Sequence, residues 1–220
     1  MATATRQKVG GNGTEAEPHA GVIKIVEPDY RELNVTIVGR TALLSNAISE
    51  HAVRVLQGWK PPKDEMPTPE QQFESSIYRD DQGRCCVPGI AVRLAMIDAG
   101  RSAGHHMTVL RQIFSVEAEL LPIELPDSPR RREKAGDRGP EMRLDTPRNK
   151  KTGGMCLSYR AMYRCPWEVV VPLSYNAEMI GRDDLLALLQ IAGRAVGIGC
   201  WRVEKNGIFG QFSVGRVEER

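Results

Sequence analysis

Between Arg182 and Val217 the chain reads helix, glycine loop, strand, and that succession limits what the rest can build. Asp183 and Asp184 supply a helix N-cap and a negative first turn. Leu185, Leu188, Leu189, Ala192 and Val196 recur at helical spacing and give one apolar face. Gly197 predicts a left-handed residue ending that helix. Gly197, Gly199, Gly207 and Gly210 then punctuate a loop carrying Trp201, Arg202 and Lys205, and a strand is expected over 208–214. Such a loop lets backbone approach a bulky partner while offering a flat ring and positive charge. Amides and cations hold phosphates, and an indole stacks on a base. The plainer alternative is a helix cap and a turn, with Trp201 filling a gap in the core. The loop is not a P-loop, because no Gly-Lys-Ser/Thr follows four spacers. Nor is it a dinucleotide fingerprint, because it precedes a strand instead of following one.

Upstream, Leu33, Val35 and Ile37 alternate with Asn34 and Thr36, predicting a strand over 33–38 closed by Gly39. A short helix is expected at 47–57, followed by a proline-bearing linker at 59–69. Thr68 with Pro69 starts a helix over 70–78. Pro88 opens another over 89–103, with Ile90, Leu94, Met96 and Ile97 as core candidates. Segments 109–114, 116–123 and 155–163 read as β structure. Trp167, Val169, Val171, Leu173 and Tyr175 alternate as a buried strand face, with Pro172 implying an edge or a bulge. Stripped of insertions, the order is βαββαβ, an α+β, ferredoxin-like (RRM-like) pattern with helices on one sheet face. RNA-recognition modules place nucleic acid on the other face. Residues 1–30 are expected to be a flexible arm, with a short strand at 22–26. Residues 31–220 form the domain, with insertions at about 41–69 and 126–156.

Composition changes sharply at Ser128. From there to Lys151 stand nine cations, among them Arg130, Arg131, Arg132, Arg148, Lys150 and Lys151, against four carboxylates. The stretch is +5, leaving −3 for the remainder of a chain of net charge +2. Proline, glycine and charge together predict a mobile basic excursion. Arginine dominates it, and the planar guanidinium fork pairs well with phosphate. Each phosphate neutralised would release counterions and make binding salt-dependent. Aromatic residues are only 5% of the chain, so phosphate contacts are expected to carry most of the affinity. The nucleic-acid-binding set is therefore Arg130, Arg131, Arg132, Arg148, Lys150, Lys151, Trp201, Arg202 and Lys205.

Other chemistry finds little support. Five cysteines form no C-x-x-C pair and the four histidines are not spaced with them, so neither a zinc site nor a cofactor is expected. An odd cysteine count without an apolar N-terminal segment points to reduced thiols and a cytoplasmic protein. No run approaches the ~18 apolar residues of a membrane span. His105 and His106 could serve as acid and base in RNA cleavage. No catalytic partner can be placed beside them, and a helix-end turn accounts for them. Asp80 and Asp81 read as a turn before Gly83, and Cys85 and Cys86 as packing residues. A non-enzyme is expected.

Three segments carry a resemblance. Ile37-Val38-Gly39-Arg40-Thr41-Ala42-Leu43-Leu44-Ser45-Asn46 resembles the opening motif of a family of small proteins common in bacteriophage genomes. Ile77-Tyr78-Arg79-Asp80-Asp81-Gln82-Gly83-Arg84 with Val87-Pro88-Gly89 is similar to that family's segment before a helix. Ala192-Gly193, Gly197-Ile198-Gly199-Cys200-Trp201-Arg202 and Gly207-Ile208-Phe209-Gly210-Gln211-Phe212 resemble its ending. Cys200 stands where that family has aspartate, and Ala42 where it has proline. The family in turn resembles the RAMP superfamily, the RNA-binding backbone subunits of CRISPR effector complexes. The resemblance implies an RRM-like core, a hairpin thumb and a glycine-rich loop. It also implies binding of single-stranded nucleic acid and self-association along the strand. It raises as an alternative a RAMP-type endoribonuclease using His105 or His106. A third reading is a phage assembly or inhibitory module whose basic loop meets an acidic partner.

Overall fold

A computed structural model describes residues 27–62, 65–126, 139–147 and 153–220. The expected strand at 22–26 lies outside them. The first strand, β1 (Tyr30–Gly39), puts Leu33, Val35 and Ile37 on its buried side. Its neighbours are β9 (Glu168–Asn176) and β10 (Phe212–Glu219), both antiparallel to it. Beyond β9 come β5 (Phe114–Val116) and β6 (Leu120–Glu124), which pair in succession along the same edge of β9. The sheet continues through β4 (Cys85–Pro88) to β3 (Tyr78–Arg79). Helix α3 (Gly89–Ser102) precedes β5, and α5 (Arg182–Ile191) lies between β9 and β10. The architecture is mixed α and β with antiparallel sheets.

Pro172 shows why a proline is tolerated in the interior strand β9. Residues 168–169 pair with β6 and 173–175 with β5. Pro172 sits at the gap, where its carbonyl accepts from the Glu117 amide at 2.9 Å. A strand residue directs N and C=O to the same side, so the missing N–H falls where no partner strand runs.

The helices pack on the face of β1 and β9 that carries Leu33, Val35, Ile37, Val169, Val171, Leu173 and Tyr175. Val92, Met96 and Ala99 of α3 and Leu185 and Leu189 of α5 meet it there. Two expected core residues do not. Ile90 and Leu94 are 52% and 49% exposed, because at a 100° turn per residue they fall opposite the 92/96/99 stripe.

Three further expectations change. Segment 109–114 lies in a helix, α4 (Met107–Ile113), with Leu110 and Ile113 buried, and the chain turns extended only at Phe114. The helix expected at 70–78 is α2 (Pro69–Ser75), started by Thr68 in a full capping box with Gln71. The helix expected at 47–57 is α1 (Glu50–Leu56), capped by the Ser49 hydroxyl on the Ala52 amide.

A second, three-stranded sheet joins β2 (Leu43–Leu44), β8 (Ser158–Tyr163) and β7 (Glu141–Asp145) in that order. It is tied to α2 through Ser76, whose hydroxyl accepts from the Ala161 amide at 2.9 Å and whose carbonyl accepts from the Ser45 hydroxyl at 2.6 Å. Thus part of the expected mobile excursion, residues 141–145, is a paired strand.

Trp167 holds the two sheets in register. It is fully buried, and its Nε1–H donates to the Thr41 carbonyl at 2.8 Å. A Cβ on Gly39 would overlap its indole. Gly39→Ala is therefore expected to lower the unfolding free energy by about 1–3 kcal/mol. A lower urea midpoint at unchanged slope would show it; an unchanged midpoint would mean the indole can move aside.

Candidate nucleic-acid interface

Helix α5 does not end at an ordinary cap. Residues Ala192–Val196 form a widened turn in which the Gly197 amide reaches back to the Ala192 carbonyl at 2.8 Å. Gly197 has φ +74°, as the sequence leads one to expect, but ψ 175° sends the chain out extended. Residues 198–211 then run as a loop, and β10 begins only at Phe212, four residues later than expected.

The loop lies backbone-to-backbone on the start of the second sheet. The Cys200 amide donates to the Leu44 carbonyl at 2.9 Å and the Gly210 amide to the Ala42 carbonyl at 2.8 Å. The Gln211 amide donates to the Thr41 hydroxyl at 3.0 Å. Gly199 (φ +77°) and Gly210 (φ +69°) are needed twice over: their φ suits glycine, and a Cβ would meet the Leu44 and Ile198 carbonyls respectively. Among the described residues the Gly199 and Trp201 amides meet no acceptor.

Trp201 also sits at positive φ, +51°, where a bulky residue is an outlier. Its ring is not filling the core: Trp201 is 42% exposed, and Ile208 beside it is 69% exposed. Arg202 and Lys205 flank the ring but are not free cations. Glu204 takes both, at 2.6 Å from Arg202 and 2.7 Å from Lys205. The hydrogen bond from Lys205, opposed by burial and helped by Arg202, holds the Glu204 carboxyl below its ordinary range.

The basic excursion returns to this loop. Arg143 on β7 lies over the Phe209 ring at 4.8 Å. Asp145, 8% exposed, binds Arg143 at 2.8 Å and faces Arg160 at 3.7 Å, with Arg160 only 13% exposed. Arg160 and Arg202 lie close enough to Cys200 to oppose the burial that pushes its thiol up. Arg40, exposed at the end of β1 and bonded through its amide to the Gln211 carbonyl, adds a further cation. Of the expected binding residues, Trp201, Arg202 and Lys205 are placed together. Arg130, Arg131, Arg132, Arg148, Lys150 and Lys151 lie outside the described residues. Arg143 belongs to the same charge run and touches the loop, yet its spacing alone did not single it out. Arg40, just after β1, and Arg160, within β8, have no charge cluster around them and carry no sequence signal.

The sheet face turned from the helices does not offer the platform expected of it. Register puts Glu32, Asn34, Thr36 and Val38 there opposite Ser174, Pro172, Val170 and Glu168. Glu124 stands directly across from Glu168. Of that row only Tyr30, at the outer end of β1 opposite Asn176, is aromatic, and the carboxylates repel phosphate. His105 and His106 are exposed between α3 and α4, with 14 residues of α3, about 21 Å at 1.5 Å per residue, between them and the glycine-loop end. Among the described residues no group of three or more His, Cys, Asp or Glu side chains is placed to hold a metal. No helix among them is long and apolar enough to cross a membrane. Among the described residues no two cysteines are joined in a disulfide.

No protein-family model matches the chain, and no curated protein matches it in sequence. Among solved structures it is similar to a chain of the Type III-B Cmr-beta complex bound to cognate target RNA. The identity is 11%, over 86% of this chain and 60% of that one, with a TM-score of 0.49. It is also similar to Cmr6 from Pyrococcus furiosus at 10% identity, over 84% and 98% of the two chains, with a TM-score of 0.42. The chain thus spans about 60% of the length of the first neighbour.

The buried ion pair gives a test of how the stem is held. Asp145→Ala leaves Arg160 uncompensated and is expected to cost roughly 3 kcal/mol. Asp145→Ala combined with Arg160→Met should recover most of it in a double-mutant cycle. A double variant that costs the sum of Asp145→Ala and Arg160→Met measured singly would show that the pair contributes nothing.

Proposed function

We propose that this chain is a non-catalytic binder of single-stranded nucleic acid, contacting the strand with its glycine loop and the adjoining β7–β8 stem. The observation that carries the reading is Trp201, held half-exposed at positive φ beside cations and unpaired amides. A ring that only filled the core would be covered, and strain at such a position is retained where function uses it. The strand order β10–β1–β9–β5/β6 with crossovers through α3 and α5 supports an RRM-like, ferredoxin-like core of the RAMP type. On this reading the chain works as one subunit of a nucleic-acid-bound assembly, lining up copies along the strand. The basic run at 128–151, to which Arg143 belongs, would supply further cations for phosphate.

Fluorescence anisotropy with labelled oligonucleotides at two salt concentrations tests this. Binding is expected at low salt and to weaken steeply with added salt. Trp201→Ala is expected to cost about 1–3 kcal/mol of affinity, the worth of one stacked base. No binding at low salt, or binding indifferent to salt, rules the reading out.

Glu204 competes with phosphate for Arg202 and Lys205. Glu204→Gln should therefore tighten oligonucleotide binding by roughly five- to tenfold and steepen its salt dependence by about one phosphate contact. The same release follows from acid. The Glu204 carboxyl is lowered in the folded state, so the ion pairs persist through the usual carboxylate range and are lost only as pH falls below it. Wild type and Glu204→Gln should then bind alike at that lower pH and differ near pH 7.

A further inference from the structure

Beneath the glycine loop lies a half-open cavity of about 210 Å³. Leu43, Ala91 and Tyr78 form its apolar walls, and Tyr163, Cys86 and Cys200 complete it. It falls short of the roughly 300 Å³ at which pockets for drug-sized ligands begin, so it has room for one ring system. Its interior is neutral. Burial pushes the Tyr78 and Tyr163 hydroxyls and the Cys86 and Cys200 thiols up, so all four stay protonated near pH 7. The Cys86 thiol is already committed to the Arg84 carbonyl at 3.3 Å. One cation, Arg202, stands among the lining residues, paired with Glu204 at the loop.

Asn46 also lines the cavity. Its Oδ1 accepts from Arg160 Nε at 3.1 Å, which fixes the amide and leaves its NH₂ group to donate. The cavity thus presents apolar and aromatic walls, one oriented donor and one positive charge. Those features fit a neutral planar heterocycle that bears an acceptor on its edge and is tethered to an anion. A nucleobase on its phosphate backbone has all three properties.

We infer that this cavity receives a single unstacked base of the bound strand, while Trp201 stacks on a base outside it. The inference rests on the nucleic-acid reading above and adds a base subsite to it. It also predicts that affinity contains a base-dependent part that salt does not remove.

The test compares equal-length single strands, one intact and one fully abasic, against wild type, Ala91→Leu and Asn46→Ala. Ala91→Leu fills the cavity from α3. Asn46→Ala also removes the acceptor of Arg160 Nε, so unchanged binding of the abasic strand is the control that the stem is intact. Wild type is expected to prefer the intact strand by about tenfold or more, as loss of base contacts implies. Ala91→Leu should lose about tenfold on the intact strand and nothing on the abasic one, and the latter result certifies that it is folded. Asn46→Ala should keep binding the intact strand but lose its preference among the four homopolymers. Equal binding of intact and abasic strands by wild type overturns the subsite and leaves the loop reading standing. So does a preference that survives both variants. No binding of the intact strand at low salt overturns the loop reading itself. Dissociation of an oligomer by Ala91→Leu with unchanged oligonucleotide binding overturns the subsite in favour of a side chain from a second copy.

Discussion

The structure depends on one close approach: the backbone of the glycine loop resting on the backbone of residues 41–44. A side chain cannot intervene at Gly199, because a Cβ there would meet the Leu44 carbonyl, and one at Gly210 would meet the loop's own Ile198 carbonyl. The Cys200, Gly210 and Gln211 amides donate to Leu44, Ala42 and Thr41, and the Thr41 amide donates back to the Gln211 carbonyl. Residue 41 also receives the Trp167 indole N–H. The short stretch after β1 therefore binds the loop on one side and the start of β9 on the other. It also pairs with β8, so it links both sheets to the loop. Each of these bonds is modest, but a buried amide left without its acceptor costs more than the bond is worth. That asymmetry is what makes the loop rigid enough to hold Trp201 at positive φ.

Much of the frame was legible because it follows from period. The alternation at 33–38 and 167–175 gave both central strands, and the leucines of 185–189 gave α5. Thr68-Pro69 gave the start of α2 by cap chemistry alone. The failures share a cause. Residues 107–113 contain Thr, Val and Ile, which favour extended chain when judged singly. Yet Leu110 packs so closely on α3 that a Cβ on Gly100 would meet its side chain at 2.7 Å, and burying both Leu110 and Ile113 on one side requires a helix. Tertiary contact overrode local preference there. For Ile90 and Leu94 the apolar period was read correctly, but the face was assigned to the larger residues. In the structure the expected Met96 and Ile97 are buried, and the smaller Val92, Ala95 and Ala99 join them in place of Ile90 and Leu94.

At the site, residue types were legible and their state was not. The glycines, Trp201 and the flanking cations could be read as a group. That Glu204 would neutralise Arg202 and Lys205 could not, since adjacency in sequence does not say which of several carboxylates turns inward. The contribution of β7 was hidden for a similar reason. Its Arg143 lies in a charge-rich run whose composition suggests no order, and only pairing with β8 brings it over Phe209.

Electrostatics then decides which surface can meet a polyanion. An antiparallel sheet with helices on one side leaves its other side available, but here that side carries Glu32, Glu124 and Glu168, two of them facing each other across β6 and β9. Like charges placed opposite one another destabilise a sheet and raise the cost of bringing phosphates near it. At the loop end the balance reverses. Arg40, Arg143, Arg160, Arg202 and Lys205 stand against Asp145 and Glu204. On the proposed reading a bound strand would be steered to the end of the sheet and not across its face, where the cations would supply attraction that salt can screen and the ring at 201 and the cavity beneath it contacts that salt cannot.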